Sequence, residues 1–272
     1  MRINLTDDFD LHKIADSGQC FRAREFEDGT FRFITGDRAL YIRELSKGCY
    51  DISCSEEEWQ RVWVSYFDLR RSYRRVRRAI PETDPYMRSA ARAGRGIRIL
   101  RQDPWETLVT FIISQRKSIP AIKSTVEALS ARFGETVETP RETLYAFPSA
   151  EALAAAGPQA LRDCKLGYRA PYVQDAAEKV SSGQVDLAAL GDLSDDGLLS
   201  GLKAIRGVGD KVANCVCLFA YGRVGLAPID TWIQKTIAAK YGGTDPFPAY
   251  GRNAGIMQQY AFYYAITNKE KF

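Results

Sequence analysis

The spacing of hydrophobic residues changes along the chain, and the change divides it into two predicted regions. Between residues 21 and 52, short segments such as FRFIT and ALYIREL alternate apolar and polar positions, and the turn-forming pairs Asp28-Gly29 and Gly36-Asp37 separate them. Alternation with a period of two, broken by tight turns, predicts antiparallel strands. Beyond residue 97 the strand pattern nearly vanishes, and apolar residues recur at helical spacing. We therefore predict an α+β chain, with an N-terminal antiparallel sheet domain over residues 1–95 and a helical domain over residues 96–272.

The helical region opens with a well-marked helix at residues 105–114. Asp103 is the predicted N-cap, Pro104 occupies the first helical position and Glu106 the third. The helix is apolar through LVTFII, which predicts that it lies inside the core. Residues 56–80 also have a helical pattern, and the chain is expected to cross between the domains near residues 81–96, where prolines and glycines flank a short helical piece. Further helices are predicted at residues 119–133, 149–156, 158–164, 170–181, 195–204 and 255–267.

Residues 205–211, IRGVGDK, place Gly207 and Gly209 between two apolar helical segments. Glycine lets the backbone turn sharply, so this pattern predicts a helix, a hairpin and a second helix that begins near Asp210 or Lys211. Lys211 then lies in a first turn, where unpaired N–H groups and the helix dipole disfavour an ammonium and favour the nucleophilic amine. A Gly-Val-Gly turn is nonetheless common, and a lysine in a first turn usually faces water. The pattern alone leaves both interpretations open.

Asp230 lies nineteen residues after Lys211 and directly precedes another periodic segment, which predicts an N-cap. The hairpin glycines would let backbone N–H groups approach a DNA phosphate, while the end of the following helix favours the negative charge. Hairpin, lysine and aspartate together resemble the helix-hairpin-helix DNA glycosylases, in which the lysine is the nucleophile and the aspartate assists it.

Composition narrows the class of protein. A chain of 272 residues with 45% hydrophobic content is long enough to bury a full core, and its net charge of +4 means that any DNA-binding surface must be local. The six cysteines lack metal-ligand spacing, and a chain of this size needs no disulfide framework. The N-terminus has no apolar targeting segment, and no apolar run approaches membrane-spanning length. We expect an intracellular protein with reduced thiols that is not membrane-bound.

Two further features have ordinary explanations. Residues 70–78 contain six arginines, which could follow phosphates, but a dense charged run more often forms a solvated face, and we favour that interpretation. His12 is the sole histidine and has no cluster of ligand residues around it. It is therefore predicted to be a surface or interdomain residue rather than a metal ligand or general base.

Five short motifs resemble those of the 8-oxoguanine DNA glycosylases and occur in the same order. The resemblance covers nearly the whole chain and implies a small N-terminal sheet domain packed on a helix-hairpin-helix glycosylase core. The related endonuclease-III-like enzymes carry a four-cysteine iron–sulfur loop near the C-terminus, whereas here no cysteine follows Cys217. The motifs are SGQCFR at residues 17–22, ILRQDP at 99–104, LGYRA at 166–170, GVGDKVA at 207–213 and PID at 228–230.

This resemblance implies catalytic roles for Lys211 and Asp230. Lys211 matches the lysine that attacks the sugar C1′ and holds the product as a Schiff base, and Asp230 matches the aspartate beside it. Breaking an N-glycosidic bond builds positive charge on the sugar, which a carboxylate stabilises, while an amine can form the imine.

The resemblance also implies a set of residues that bind a base flipped out of the duplex. Gly18 matches the glycine whose backbone carbonyl accepts a hydrogen bond from N7–H, a proton that 8-oxoguanine has and guanine lacks. Cys215 and Phe262 match the residues that sandwich the base, and Gln258 matches the amide that reads its Watson–Crick edge.

The opposite strand is where the sequence departs from eukaryotic members of this family. Arg116 stands where they carry the asparagine that fills the emptied stack, and Ala121 stands where they carry an arginine that reads the opposite cytosine. Of the residues that read the opposite cytosine in those members, Arg169 is retained. Trp232 stands where they carry a histidine two residues after the catalytic aspartate. These departures predict relaxed opposite-base specificity. The residues predicted to contact DNA are Arg116, Tyr168, Arg169, Gly207 and Gly209.

The resulting expectation is a base-excision-repair enzyme, a bifunctional DNA glycosylase and abasic-site lyase that excises 8-oxoguanine from duplex DNA and nicks the strand by β-elimination. Two alternatives stay open: a glycosylase of the same fold for an alkylated purine or a mismatched base, and a helix-hairpin-helix module that binds DNA without chemistry. No cofactor or catalytic metal is implied, with an optional structural cation at the hairpin. The expected partner is double-stranded DNA containing oxidised guanine, and the expected state is a monomer. The expected location is the cytoplasm, with action on chromosomal DNA, or the nucleus in a eukaryote.

Overall fold

The structure, a computed structural model, describes residues 1–268. Its contacts divide the chain into two units that interleave along the sequence. The predicted domains, 1–95 and 96–272, are instead continuous stretches, and that boundary stays a prediction. Unit 1 comprises Met1–Arg32, Leu40–Arg101 and Gly222–Phe272, and unit 2 comprises Phe33–Ala39 and Gln102–Tyr221.

A five-stranded antiparallel sheet forms in the N-terminal part of the chain, which confirms the sheet that the alternating pattern predicts. Its spatial order is β1-β5-β4-β3-β2, where the strands are β1 (Arg2–Asn4), β2 (Arg24–Glu25), β3 (Phe31–Thr35), β4 (Arg38–Ser46) and β5 (Cys49–Ile52). Alternate residues of β5, Tyr50 and Ile52, are buried. The pattern did not predict β1, which is three residues long and pairs Ile3 with Tyr50 at the edge of the sheet.

Helices make up most of the remaining described chain, as expected for the α+β class. A π-helical turn, Trp59–Trp63, joins α2 to α3, and short irregular turns, Arg162–Leu166 and Gly167–Arg169, join α8 to α9. The helices are α1 (Leu11–Asp16), α2 (Glu56–Glu58), α3 (Val64–Tyr66), α4 (Tyr73–Arg78), α5 (Pro85–Ala93), α6 (Pro104–Ser114), α7 (Ile119–Phe133), α8 (Ala150–Leu161), α9 (Ala170–Ser181), α10 (Leu187–Gly191), α11 (Asp195–Lys203), α12 (Asp210–Phe219), α13 (Thr231–Lys240) and α14 (Ala254–Thr267), with a 3-10 segment at Phe247–Asn253.

The predicted helix starts agree with the structure where a capping residue marks them. Asp103 accepts a hydrogen bond from the backbone N–H of Glu106 at 2.8 Å and begins α6, whose apolar residues are buried. Ser149 begins α8 in the same way. The predicted break between residues 156 and 158 is a kink at Gly157, whose φ of 75° lies in the left-handed region.

One sequence prediction is wrong in detail, and several short elements were not predicted. The helical pattern over residues 56–80 is interrupted, because Asp68 has a φ of 48° that a helix does not accommodate. Beyond residue 97, where strand signals nearly vanish, β6 (Thr136–Glu138) and β7 (Thr143–Tyr145) form a short hairpin that was not predicted. Strands of three residues are too short to show a periodic pattern, and the same is true of the missed helices α1 and α10.

The arginine run is only partly a solvated face. Arg71 lies 2.8 Å from Asp68 and Arg77 lies 2.6 Å from Asp8, so the predicted solvated face is wrong for these two residues. His12 is exposed, as predicted, with Nδ1 3.3 Å from Glu25. No helix within residues 1–268 has the length and apolar content needed to cross a bilayer.

In unit 1, α14 packs on α5 and α13. Gly94, at the end of α5, makes this approach possible, because a Cβ there would lie 2.6 Å from the ring of Tyr260 on α14. Tyr260 is fully buried, and its burial raises the pKa of the hydroxyl. Tight packing on this side fixes α14, which carries two of the predicted site residues.

Candidate active site

The hairpin of residues 205–209 joins α11 to α12 in unit 2, as predicted. Gly207 has a φ of 81°, and a Cβ at this position would lie 2.5 Å from the ring of Tyr172, so only glycine fits. Gly209 differs, because its φ is −97° and a Cβ there would meet nothing within 4 Å in the described structure. Gly209 is the N-cap of α12 and makes no side-chain capping bond. The backbone N–H groups of that turn therefore receive no hydrogen bond from the side chain of their cap residue.

Lys211 lies in the first turn of α12, which confirms its predicted position. Its Nζ donates a hydrogen bond to the hydroxyl of Ser114 at 3.2 Å and lies 5.1 Å from the centre of the Phe111 ring. Phe111 and Ser114 are three residues apart on α6, so they share one face of that helix. The half-buried amine forms no ion pair with any carboxylate of residues 1–268. Lys211 thus contacts a hydroxyl and an aromatic ring and has no carboxylate partner among residues 1–268.

Cys215 follows Lys211 by one turn of α12 and is 3% exposed. Residues four apart lie on the same side of a helix, so Cys215 and Lys211 occupy adjacent positions. Phe219, one turn further on, stacks on Phe111 of α6 with ring centroids 5.5 Å apart. This stacked pair fixes α12 against α6 below the two site residues.

Arg116, Tyr168 and Arg169 lie on two loops of unit 2 that meet at the main-chain carbonyl of Gln115. Arg169 donates to this carbonyl from Nε at 2.8 Å and also from Nη2, while the Tyr168 hydroxyl donates to it at 3.3 Å. Arg169 also donates from Nη1 to the carbonyl of Leu166 at 3.3 Å and lies over the Tyr168 ring. Arg169 is 7% exposed, whereas Tyr168 is 52% exposed. The arginine is therefore fixed, and the tyrosine presents its ring to solvent.

Lys117 adds a further cation beside these loops. Its Nζ donates to the carbonyl of Lys165 at 2.8 Å and to the Thr125 hydroxyl at 2.6 Å. Burial, together with the nearby charges of Arg169 and Lys165, lowers the pKa of Lys117 below its ordinary value. Arg116 and Lys165 both have positive φ, 52° and 65°, which is unusual for residues with side chains.

Gly18 lies in unit 1 on a loop that hydrogen bonds hold from several sides. Gly18 has a φ of 76°, so the backbone here takes a conformation that favours glycine. The Gln19 side chain donates to the Ser17 hydroxyl at 2.7 Å and to the Arg98 carbonyl at 2.8 Å. Gln259 of α14 donates to the Ser17 carbonyl at 2.5 Å. The loop is thus fixed to α14.

Asp230 is the N-cap of α13 in unit 1, which confirms the prediction of a cap. Its carboxylate accepts a hydrogen bond from the backbone N–H of Ile233 at 2.8 Å. One carboxylate oxygen is therefore engaged by the helix, and the cap fixes the direction of the side chain. Trp232, in the first turn of the same helix, is 37% exposed.

Gln258 and Phe262 lie one turn apart on α14 in unit 1. Gln258 is 4% exposed, and its side-chain oxygen Oε1 has no hydrogen-bond partner within residues 1–268. A buried acceptor without a partner costs free energy, which a ligand with an N–H or O–H donor would recover. Phe262 is partly exposed, as a residue that stacks on a ligand must be before the ligand binds.

The predicted site residues fall into two groups, and each group is connected within its own unit. Sequence analysis gave no role to Ser114, Gln115 or Gln259, although their hydrogen bonds position the predicted residues. These bonds join residues far apart in sequence, so no local pattern could have found them. Unit 2 holds Arg116, Tyr168, Arg169, Gly207, Gly209, Lys211 and Cys215, and unit 1 holds Gly18, Asp230, Gln258 and Phe262.

Metal ligands are not assembled from side chains in the described part of the chain. No group of three or more His, Cys, Asp or Glu side chains there is placed to hold an ion. The hairpin offers carbonyl oxygens instead, and two of them already accept hydrogen bonds: Ile205 from the N–H of Val208 at 3.1 Å, and Gly207 from the Gln115 amide at 3.1 Å. A structural cation at the hairpin stays a prediction.

Comparison with protein families accounts for both parts of the chain. Residues 2–108 match the model of the 8-oxoguanine DNA glycosylase N-terminal domain. Residues 109–251 match the model of the HhH-GPD superfamily of base excision DNA repair proteins, where HhH stands for helix-hairpin-helix.

Known proteins agree with this assignment. The Clostridium acetobutylicum 8-oxoguanine glycosylase/lyase, solved with DNA that carries cytosine opposite 8-oxoguanine, is 32% identical, with a TM-score of 0.90 over 99% of both chains. The protein MBOgg1, solved with a low-affinity DNA ligand, is 36% identical, with a TM-score of 0.93 over 99% of this chain and 96% of that one. A Saccharomyces cerevisiae N-glycosylase/DNA lyase is 32% identical over 158 residues, which cover 54% of this chain but only 42% of the yeast protein.

The order of the two matched domains, the near-complete structural overlap and the placement of the lysine after the hairpin lead to one assignment. This chain belongs to the 8-oxoguanine DNA glycosylase family, within the HhH-GPD superfamily of base excision DNA repair proteins.

Proposed function

We propose that this protein excises 8-oxoguanine from duplex DNA and then cleaves the abasic strand, with Lys211 as the nucleophile. The observation that carries the proposal is the environment of the Lys211 amine. It follows the hairpin directly, packs on the Phe111 ring and has no carboxylate partner within residues 1–268. A structural lysine at the start of a helix would instead be paired or extended into water.

The proposed chemistry divides one difficult step into two easier ones. The neutral amine of Lys211 bonds to C1′ of the sugar while the bond from C1′ to the base breaks, and the base leaves with the electron pair and takes up a proton. The sugar ring then opens to a Schiff base. Loss of a proton from C2′ breaks the bond between C3′ and its phosphate oxygen, which nicks the strand by β-elimination. Asp230 supplies the negative charge that stabilises the positive sugar during the first step.

The lesion is proposed to bind through hydrogen bonds to its edges and through contacts to the two faces of the base. The guanine ring presents N1–H and an amino group on its Watson–Crick edge, and the unpartnered Oε1 of Gln258 is an acceptor that suits these donors. The Gly18 carbonyl would accept from N7–H, and plain guanine would place an acceptor against it instead. Cys215 and Phe262 would hold the two faces of the base.

The DNA backbone is proposed to bind at unit 2. The first turn of α12, capped by Gly209, presents N–H groups to a phosphate, as Gly207 allows the hairpin to turn. Tyr168 and Arg169 would contact the strand opposite the lesion, and Arg116 would fill the gap left by the flipped base. The proposed partner is therefore double-stranded DNA, and we propose that the protein acts as a monomer.

Two alternatives make different use of the same site. An enzyme for alkylated purines that activates water would not need an amine, and a module that only binds DNA would have no reason to bury the acceptor of Gln258 without a partner. The match of residues 2–108 to the 8-oxoguanine glycosylase N-terminal domain favours oxidised guanine over both.

Borohydride trapping on a lesion duplex tests the proposal. Wild-type protein should form a covalent complex with a duplex containing 8-oxoguanine, and Lys211→Gln should abolish both this complex and strand nicking, a loss of at least about 10³-fold, while duplex binding stays within about threefold. Lys203→Gln is the matched control, because Lys203 lies across the hairpin and is paired with Asp210 at 2.9 Å. It should trap DNA like the wild type.

Each alternative has its own signature in this experiment. Excision of an alkylated purine without trapping would support the water mechanism and overturn ours. Duplex binding with no excision of either lesion would support the binding module. Undiminished trapping by Lys211→Gln would exclude Lys211 as the nucleophile.

A further inference from the structure

Gln115 connects the two sets of predicted DNA-contacting residues in unit 2. It follows the last residue of α6, and its side-chain Nε2 donates to the hairpin carbonyl of Gly207 at 3.1 Å and to the carbonyl of Ile112 at 3.2 Å. Its own main-chain carbonyl accepts from Arg169 and Tyr168. One residue therefore bonds to the hairpin through its side chain and to the opposite-strand loop through its backbone.

The neighbours of Gln115 extend this connection in both directions. Ser114 accepts the hydrogen bond from Lys211, and Lys117 donates to the carbonyl of Lys165. Three of the four consecutive residues 114–117 therefore contact, in turn, the proposed nucleophile, the hairpin and the loop of residues 165–169. The fourth is Arg116, the residue proposed to enter the duplex. Nothing in the local sequence pattern shows this, because the bond from Gln115 to Gly207 spans 92 residues.

The spacing of these elements matters for binding DNA. A duplex presents its phosphates and its opposite-strand bases at fixed distances, so two contacting elements bind together only if they are held at the matching separation. A hairpin free to move would lose affinity, because ordering it on binding costs entropy. The Gln115 amide removes that freedom in advance.

We propose that Gln115 is a positioning residue: its side-chain amide holds the phosphate-contacting hairpin at a fixed distance from the loop that reads the opposite strand. The proposal rests on the proposed function for the DNA contacts themselves. It adds that DNA affinity, more than chemistry, depends on the Gln115 side chain.

The test is Gln115→Met in a duplex-binding titration at several salt concentrations. Methionine matches the length of glutamine and lacks the N–H donor, and the main-chain carbonyl that holds Arg169 is retained. We expect the Kd for the lesion duplex to rise about tenfold, equivalent to about 1.4 kcal/mol. The slope of log Kd against log salt should stay near its wild-type value, because it counts phosphates neutralised by Lys and Arg and the hairpin contacts its phosphate through uncharged N–H groups. The rate of single-turnover excision at saturating DNA should fall by less than the affinity does.

Gln174→Met is the matched control. Gln174 is also in unit 2, and its Nε2 donates to the carbonyl of Ala154 at 2.9 Å and to Glu178 at 2.8 Å, away from the predicted DNA contacts. This variant loses the same kind of bonds, so it reports any general effect of reduced stability. We expect its thermal midpoint to fall as in Gln115→Met while Kd and the salt slope stay at their wild-type values.

The outcomes separate this proposal from the proposed function. A wild-type Kd in Gln115→Met, or equal losses of affinity in both variants, would overturn the positioning role. A wild-type protein that binds the duplex without excising 8-oxoguanine would overturn the proposed catalysis. The positioning role would still be decided in that case, because it is tested by comparing the Kd of Gln115→Met with that of Gln174→Met.

Discussion

Two groups of basic residues in this protein have opposite surroundings. In unit 1, arginines meet aspartates in a buried network around Arg98 and Asp68. In unit 2, the cations around Lys211, Lys117 and Arg169 are held by hydroxyls, carbonyls and aromatic rings. The two groups show that, within residues 1–268, the same kinds of side chain have carboxylate partners in one place and none in the other.

In the unit 1 network, the hydrogen-bond donors of Arg98 are all used within the protein. Arg98 is 1% exposed and donates to the carbonyls of Phe67, Asp8 and Arg71 at 3.2, 3.1 and 2.9 Å, and also to the carbonyl of Asp68. Its guanidinium lies 4.0 Å from the Tyr73 ring centre. With every donor direction occupied, this arginine has no capacity left for a ligand.

Asp7 shows the electrostatic effect of the same network. Partial burial alone would raise the pKa of its carboxyl, but hydrogen bonds from the backbone N–H groups of Asp8, Arg74 and Tyr73 and the charge of Arg98 outweigh it. The pKa of Asp7 is lowered as a result. Stability from this group is therefore present above its ordinary value of 3.8 and is lost as the pH falls through the lowered pKa.

Lys117 in unit 2 shows the opposite electrostatic effect. Burial and the neighbouring cations Arg169 and Lys165 lower the pKa of Lys117, so its charge is disfavoured in the protein alone. A phosphate placed here would relieve this repulsion, and we expect Lys117 to contact one when duplex DNA binds. The difference teaches that pairing, not the number of basic residues, distinguishes a structural cluster from a candidate nucleic-acid surface.

Breaking the paired network should have the largest effect on stability. Arg98→Met removes the donor from several buried carbonyls and from Asp7, and we expect a loss of about 3–5 kcal/mol in the free energy of unfolding. Thermal or urea unfolding measures it. Arg75→Met is the control, because Arg75 is exposed and forms no ion pair with any residue of the described chain, and it should change stability by less than about 0.5 kcal/mol. Equal losses of stability in Arg98→Met and Arg75→Met would show that the network adds nothing to stability.

We expect weak discrimination among the bases opposite the lesion, so changing that base should alter the excision rate only moderately. Arg169 uses three N–H groups on the carbonyls of Gln115 and Leu166, which leaves two for DNA, and Ala121 supplies no second cation. We expect excision opposite adenine, guanine or thymine within about tenfold of the rate opposite cytosine, or about 1.4 kcal/mol. Single-turnover rates on four duplexes that differ only in that base measure it. A preference of a hundredfold for cytosine would mean that Arg116 and Arg169 suffice to read it.

The smallest expected effect is the pH dependence of binding through Lys117. Its pKa in the free protein lies below the ordinary value of 10.5, so its charge is lost as the pH rises through the lowered value, and the phosphate contact is lost with it. Duplex affinity should therefore fall on the alkaline side in the wild type and fall less in Lys117→Met. The same variant should reduce the salt slope by about one. If duplex affinity fell at alkaline pH in Lys117→Met as much as in the wild type, a contact between Lys117 and a phosphate would be contradicted.

Stability should respond to Lys117 in the opposite direction. Between its lowered pKa and 10.5, the unfolded chain binds more protons at Lys117 than the folded chain does. The contribution of this group to stability therefore rises with pH across that window. Folding and DNA binding thus titrate in opposite senses at one residue.

Local signals in the sequence predicted much of the fold and the position of the key residues. Asp103 and Asp230 cap helices as their side chains suggest, and the two glycines of the hairpin predicted where α12 begins. Alternating apolar residues predicted the central strands of the sheet. Each of these features depends on residues within a few positions of one another.

The contacts that tune the site could not be predicted in this way. Lys211 meets Ser114 across 97 residues, and Gln259 meets Ser17 across 242. The pairing of Arg77 with Asp8 also needs the folded chain, and this is why a run of arginines looked like a solvated face. The lysine nucleophile and the base-binding set were named through family resemblance, and their roles stay predictions.

The left-handed backbone at Arg116 and Lys165 has a consequence for the adaptability of this enzyme. A residue with a side chain in this region costs about 1–3 kcal/mol, and glycine would avoid most of it. Selection for heat resistance alone would therefore favour glycine at both positions and would remove two cations from the loops proposed to face DNA. At these positions, the proposed contribution to DNA binding would come at a cost in thermal stability.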